Sequence, residues 1–315
     1  MPHKTVTIGT RSSNMAIAAA MRVKSLLNNA YPEIEIEIKT FTSDGDKFMG
    51  DLSAIGGKGA FVRNLDKKLL DGDISCAVHA LKDIPGDVPC HEDLKNLAMM
   101  EREDPRDCLV MREGTSQVEP HHVLATSSPR RRAFLKKLYP ENKVIPLRGN
   151  VNTRLRKLQE GEFDGMVLSY AGLMRLDLQH HATKIFSPSE FLPAIGQGVI
   201  CLKVRKEDVK TCDYLRTLNN TQAEMAVRAE REMLWILKGD CHSAIAGYCT
   251  LSDTMMRLTG IVAAADGSRF LEAVAEQSLD IAPEELGRKV AADLLAQGAR
   301  ELLGAGACES LLSGS

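Results

Sequence analysis

Apolar and polar positions change period repeatedly along this chain. Residues 5–9 form a short β-rich run and residues 14–29 a helical stretch. Residues 33–41 alternate carboxylate with isoleucine before Phe41, the period-two pattern of a strand. Residues 59–70 read as a helix closed by Asp71-Gly72, and residues 74–79 as a buried strand. The pattern restarts after the charged segment at residues 101–107. Strands are predicted at 123–125, 144–147 and 165–168, and helices at 130–138 and 151–159. Residues 194–204 are read as returning the chain to the first domain, and a long helix at 221–237, three strands at 241–251, 257–263 and 269–277, and a helix at 283–303 complete the chain.

This alternation predicts mainly parallel sheets covered by helices. The expected fold class is α/β, with two doubly wound domains and a small α+β C-terminal domain. Domain 1 spans residues 1–100 and 199–217, domain 2 residues 104–194, and domain 3 residues 221–315. No internal repeat or low-complexity tract is visible. Ligands of such sheets sit beyond the carboxyl ends of the strands, so a cleft between the first two domains is expected.

The chain has 315 residues, too many for one small core. Lys and Arg total 40 against 42 Asp and Glu, a formal net charge of −2. That balance argues against a general nucleic-acid binder. No apolar run is long enough to span a membrane, and the N-terminus lacks an apolar signal core, which predicts a cytoplasmic protein. The 8 cysteines form no C-x-x-C pair and no H-E-x-x-H is present, so no metal site is expected.

Candidate chemistry gathers at predicted strand ends. Arg11 and Ser13 follow the first strand, and Lys82 and Asp83 follow residues 74–79. Thr126, Ser127, Ser128, Arg130 and Arg131 follow residues 123–125. Arg148, Gly149 and Arg154 follow residues 144–147, and Arg175 follows residues 165–168. Ser127 or Ser128 suits an N-cap and Pro129 the first helical position. A helix start offers free N–H groups to an anion, and arginine forks fit carboxylates. Basic residues there oppose the helix dipole, so Arg130–Arg132 require compensation, which a bound polyanion supplies. Taken singly, each arginine also fits a solvated face. Asp83 reads either as an ion-pair partner of Lys82 or an arginine, or as a carboxylate that stabilises a cation and handles protons. Residues 42–58, with glycines at 45, 50, 56 and 57, read as a mobile lid. Gly56-Gly57-Lys58-Gly59 does not match a nucleotide-binding P-loop. By its surroundings alone, Cys241 reads as an ordinary loop thiol beside His242.

Together these segments resemble the porphobilinogen deaminase (hydroxymethylbilane synthase) family over nearly the whole chain. The matching pieces are Gly9-Thr10-Arg11 with Ser13, Gly56–Gly59, Ala77-Val78-His79 with Lys82-Asp83, residues 101–107, Thr126–Ser128 with Arg130-Arg131, residues 147–154 (LRGNVNTR), Ala171-Gly172-Leu173 with Arg175, and residues 192–198 (LPAIGQG). The resemblance implies first and second domains like those of two-lobed periplasmic binding proteins. It implies a transferase of tetrapyrrole (haem) biosynthesis, monomeric and cytoplasmic. Four porphobilinogen molecules would be condensed head to tail into hydroxymethylbilane, with loss of ammonia. The primer would be a dipyrromethane cofactor held by a thioether to Cys241. Asp83 would be the catalytic carboxylate, and Arg11, Ser13, Lys58, Lys82, Thr126, Ser127, Ser128, Arg130, Arg131, Arg148, Gly149, Arg154 and Arg175 would bind the acetate and propionate groups. The family usually has serine at Ala80, glutamine at Ala19, lysine at Ala54, G-G-C-Q at Gly239–His242 and proline at Ala244. These departures predict a weaker grip on a carboxylate. Two other readings remain open: a non-enzymatic two-lobed polycarboxylate-binding protein, and an RNA or DNA binder through Arg130–Arg132. Aromatic residues are only 4% of the chain, too few for an evident base-stacking platform.

Overall fold

The computed structural model describes residues 5–42, 59, 62–239 and 243–304. In chain order the first elements are β1 (Thr5–Arg11), α1 (Asn14–Ala30), β2 (Glu35–Phe41), α2 (Arg63–Leu70), β3 (Cys76–Ala80), a 3-10 turn (Leu81–Asp83) and β4 (Leu94–Met99). Next come β5 (Asp107–Met111), β6 (Val123–Ala125), α3 (Pro129–Leu138), β7 (Lys143–Ile145), α4 (Val151–Gln159), β8 (Gly165–Ser169), α5 (Tyr170–Met174) and β9 (Lys184–Ile185). The last are β10 (Ile200–Arg205), α6 (Val209–Arg216), α7 (Thr221–Leu237), β11 (Ile245–Leu251), β12 (Met255–Ala263), β13 (Phe270–Ser278) and α8 (Pro283–Ala296).

Two compact units result, residues 1–103 with 198–224 and residues 104–197 with 225–315. The first holds a sheet of order β2-β1-β3-β10-β4, the second a sheet of order β7-β6-β8-β5-β9 and a three-stranded sheet β11-β12-β13. Neither five-stranded sheet is mainly parallel, which corrects the sequence expectation. In the first, β1 runs parallel to β2 and β3, while β10 is antiparallel to both β3 and β4. In the second, β6 runs parallel to β7 and β8, while β5 is antiparallel to β8 and β9. The cause is connectivity. Each sheet takes in one strand whose chain has just crossed from the other unit, and that strand enters reversed.

Strands β4 and β5 answer to no predicted element. Leu94–Met99 breaks its alternation at Lys95-Asn96, and Asp107–Met111 is an unbroken buried run directly behind a charged segment. The predicted final helix is also interrupted. Gly298, at φ +96°, ends α8 before a second helical stretch at residues 299–304.

The two faces of the first sheet differ. On one, Val6, Ile8, Val78, Ile200 and Leu202 pack beneath Ala20, Val23 and Leu27 of α1. On the other, Ala77 meets Leu65 and Leu69 of α2 and Ile74. In the second unit, helix α3 packs on both of its sheets. Phe134 stacks on Phe191 at 4.7 Å between centroids and meets Phe270 of β13 edge-on at 5.3 Å. Burying a ring of this size contributes roughly 1.5–3 kcal/mol. Ala133 joins Ala244 and Ala263 in a small buried cluster. The β12–β13 turn approaches α3 so closely that a Cβ at Gly267 would lie 2.9 Å from the Ala133 carbonyl oxygen. Among the described residues no helix is long and apolar enough to cross a membrane.

Candidate active site

One cluster of candidate residues lies in each unit. In the first, β1 ends in Arg11, and the Ser13 side chain caps α1 by accepting from the Ala16 amide at 3.4 Å. Strand β3 leads straight into the turn that carries Lys82 and Asp83. The Arg11 Nη1 donates to Asp83 Oδ2 at 3.1 Å. Sequence reading allowed an arginine partner for Asp83, and the structure supplies one. With 31% of its side chain still exposed, the carboxylate keeps open acceptor positions.

The second cluster is built on the N-terminus of α3. Ser128 caps it, accepting from the Arg131 amide at 3.4 Å, with Pro129 at the first position. Three of the predicted anion-binding hydroxyls turn out to be engaged in holding this turn. Thr126 Oγ1 accepts from the Ser128 amide, while Ser127 Oγ donates to the Leu147 carbonyl and accepts from its amide. Ser13 in the first unit is engaged as a cap in the same way.

Arg130 and Arg131 depart most from expectation. Both are buried and both bind Asp107, whose side chain is 0% exposed, at 2.8 Å and 2.7 Å. Their remaining donors reach the Leu192 carbonyl at 2.7 Å and the Val167 carbonyl at 3.1 Å. The charge that offsets these arginines is therefore an internal carboxylate, not solely a bound polyanion. Two guanidinium groups on one carboxylate still leave one positive charge. Burial lowers the Arg130 pKa against the pull of Asp107.

More positive charge lies beside this triad. Asn150 caps α4 by accepting from the Thr153 amide at 2.9 Å. Gly149 precedes it at φ +111°, where a Cβ would lie 2.8 Å from the Thr153 methyl. That backbone lets the Arg154 Nε donate to the Gly149 carbonyl at 2.7 Å. Burial first, then the like charges of Arg131 and Arg148, push Arg154 down to about 10. Among the described residues no carboxylate pairs with Arg154. Arg148 and Arg175 are half-buried, the latter at the end of α5.

Lys58, most of the proposed lid and Cys241 lie outside the described residues. The flanks of Cys241 are described. Gly239 fits tightly against Ile245 and Leu234, and Ala244 packs on Ala133 of the arginine-bearing helix. Sequence reasoning missed Asp107 and the buried Glu230, which accepts from the Gly196 amide at 2.8 Å and the Cys249 amide at 2.9 Å. Asp107 carried one usable signal, a carboxylate opening a wholly apolar run of four.

Comparison with known proteins adds what geometry alone does not. A family model described as porphobilinogen deaminase, dipyromethane cofactor binding domain, matches residues 6–213, and the C-terminal domain model of that family matches residues 225–296. The chain belongs to the porphobilinogen deaminase family.

Relatives named porphobilinogen deaminase match almost end to end. That of Syntrophobacter fumaroxidans is 38% identical over 306 residues, 96% of this chain and 98% of its own. That of Chromobacterium violaceum is 40% identical over 303 residues, 95% and 97% of the two chains. Among solved structures, the substrate binding protein of an amino acid ABC transporter overlays on 68% of this chain and 91% of its own, with a TM-score of 0.35 and 14% identity. For a member of the porphobilinogen deaminase family, an excess of guanidinium groups over carboxylates around α3 and α4 fits a polycarboxylate ligand.

Proposed function

We propose that this chain is a porphobilinogen deaminase, a cytoplasmic and monomeric transferase. It joins four porphobilinogen molecules head to tail into hydroxymethylbilane, with release of ammonia. Asp83 carries this reading: a part-exposed carboxylate, oriented by Arg11 at 3.1 Å, at the end of a strand in a chain matched by the family model over residues 6–213.

The cation excess around Arg154 fits a group rich in carboxylates, so the family's dipyrromethane suits these residues, with Cys241 as its thioether anchor. When bound, that group supplies the nucleophilic pyrrole carbon. The chain's own residues do the rest. Departure of ammonia breaks the substrate's C–N bond and leaves a methylene-pyrrolenine cation. The Asp83 carboxylate stabilises that charge and accepts the pyrrole N–H, while Arg11 fixes its direction. Arg148, Arg154 and Arg175 hold acetate and propionate groups, with Lys58 and Lys82 adding charge. Arg130 and Arg131 set the positive potential of α3 through Asp107. The Thr126, Ser127 and Ser128 hydroxyls hold the turn that starts α3 and so support the ligand site from behind.

Intact-protein mass spectrometry tests the reading. The purified protein is expected to exceed its sequence mass by one dipyrromethane, and Cys241→Ala to lose that excess. Asp83→Asn is expected to keep the mass and to lose turnover. An unmodified Cys241 with reversible carboxylate binding would instead establish a binding protein. Salt-dependent nanomolar affinity for RNA or DNA would redirect the reading to nucleic acid.

A further inference from the structure

Helix α2 covers a face of the first sheet that carries buried polar groups. Register shows which side chains share it. Cys201 of β10 pairs with His79 and Lys203 with Ala77, so Lys203, His79 and Ala77 point to one side. Gly9 of β1 pairs with Ala77, which places Arg11, two residues on, on that side as well. Strand β3 lies between β1 and β10. On the β1 side Arg11 thus stands level with the imidazole, while on the β10 side Cys201 is level with it and the Lys203 ammonium lies one pair further along.

Each cation has its own carboxylate. Lys203 Nζ donates to both oxygens of Asp66 on α2, at 2.8 and 2.9 Å, and Arg11 donates to Asp83. His79 is 3% exposed, and its Nε2 meets no hydrogen-bond partner among the described residues. Burial first, then Lys203 and Arg11, push its pKa down to about 3, so the ring stays neutral. Burying a polar atom without a partner is unfavourable, and an apolar side chain at this position would avoid that cost. The polar ring at this position therefore calls for an explanation, and the charges beside it provide one. A neutral imidazole can turn an in-plane lone pair toward a neighbouring cation, and a phenyl ring offers none.

We propose that His79 is a positioning residue for Arg11, a neutral imidazole wedge between two cations that directs the guanidinium onto Asp83 and away from Lys203. The proposal rests on the reading that Arg11 and Asp83 carry the reaction. The groups that set the charge around His79 come from each neighbouring element: Arg11 from β1, Lys203 and the Cys201 thiol from β10, Asp66 from α2, and Asp83 from the turn.

Full-length His79→Phe, His79→Gln and the double variant His79→Phe/Lys203→Met test it, by intact mass and by kcat and KM for porphobilinogen. His79→Gln, polar and neutral, is expected to stay within roughly threefold of the parent kcat, while His79→Phe loses about tenfold or more at nearly constant KM. The dipyrromethane mass is expected on all three variants. Removing the second cation in the double variant is expected to recover several-fold of the lost kcat, which a purely structural role for the ring would not allow. Full activity in His79→Phe, equal loss in His79→Gln, or no recovery in the double variant overturns the proposal. A parent without cofactor mass or turnover would instead overturn the underlying activity. Should His79→Phe fail to fold, nitrogen NMR of the parent decides: the ring is expected to remain neutral between about pH 5 and 8, and titration in that range overturns the proposal.

Discussion

The two five-stranded sheets share one plan and treat buried charge in opposite ways. Each has two parallel pairings and one strand entered in reverse. Strands β1 and β6 each lead into a serine-capped helix, Ser13 on α1 and Ser128 on α3. In the first unit a carboxylate that is 31% exposed takes one arginine, and the pair is neutral. In the second a carboxylate at 0% exposure takes two, and one positive charge is left over. An exposed acceptor can meet a substrate, whereas a sealed one can only hold a framework. The same ion-pair chemistry thus leaves an accessible carboxylate in one unit and a buried excess of positive charge in the other.

Exchanging either carboxylate for its amide breaks this comparison most directly. Asp83→Asn is expected to lower kcat at least a hundredfold, since it removes the charge that stabilises the developing cation. Its effect on stability should stay within about 1 kcal/mol, because a part-exposed pair contributes little. Steady-state kinetics beside a denaturant titration measures both. Asp107→Asn should give the reverse profile. Leaving two buried guanidinium groups without their counter-charge is expected to cost roughly 3–5 kcal/mol. Equal stability losses in the two variants would erase the distinction between the units.

How much of this was legible in the sequence follows from the range of each interaction. The serine caps, Pro129 and Asn150 were readable because a cap is set within four residues. Strand ends bearing Arg11 and Asp83, and the helix bearing Arg154, were readable from the alternation of periods. The mixed sheets were not, because the partners of β5 and β10 lie far along the chain. Asp107 read as part of a charged crossover, and only its pairing with Arg130 and Arg131 shows it to be the centre of a buried triad. Lys203, inside Ile-Cys-Leu-Lys-Val-Arg, is likewise explained only by Asp66, 137 positions away. The family motifs named the candidate residues, while the packing shows which of them are already engaged.

The caps sharpen the comparison at a smaller scale. Ser13→Ala and Ser128→Ala remove geometrically matched bonds, each 3.4 Å to the third helical amide. Each should cost about 1 kcal/mol in thermal or denaturant unfolding. A larger cost for Ser128 would mean that the cap also orients the Arg131 guanidinium on Asp107.

The smallest expected effect concerns Arg154, and its two consequences have opposite signs. Its folded pKa of about 10 lies below the ordinary value of an arginine side chain. Between those values the unfolded chain holds more protons than the folded one, so this group's contribution to stability rises with pH through that window. Anion binding runs the other way, because a bound carboxylate favours the charged guanidinium and loses that partner above about pH 10. Polycarboxylate binding near pH 10 should therefore take up protons. Calorimetry in two buffers of different ionisation enthalpy measures that uptake as a fraction of a proton per ligand. Arg154→Gln should abolish it and should also remove the rise in stability, relative to the parent, at alkaline pH. Proton uptake unchanged in Arg154→Gln would place the anion elsewhere on the arginine cluster and would make Arg154 a part of the framework, as Arg130 and Arg131 are.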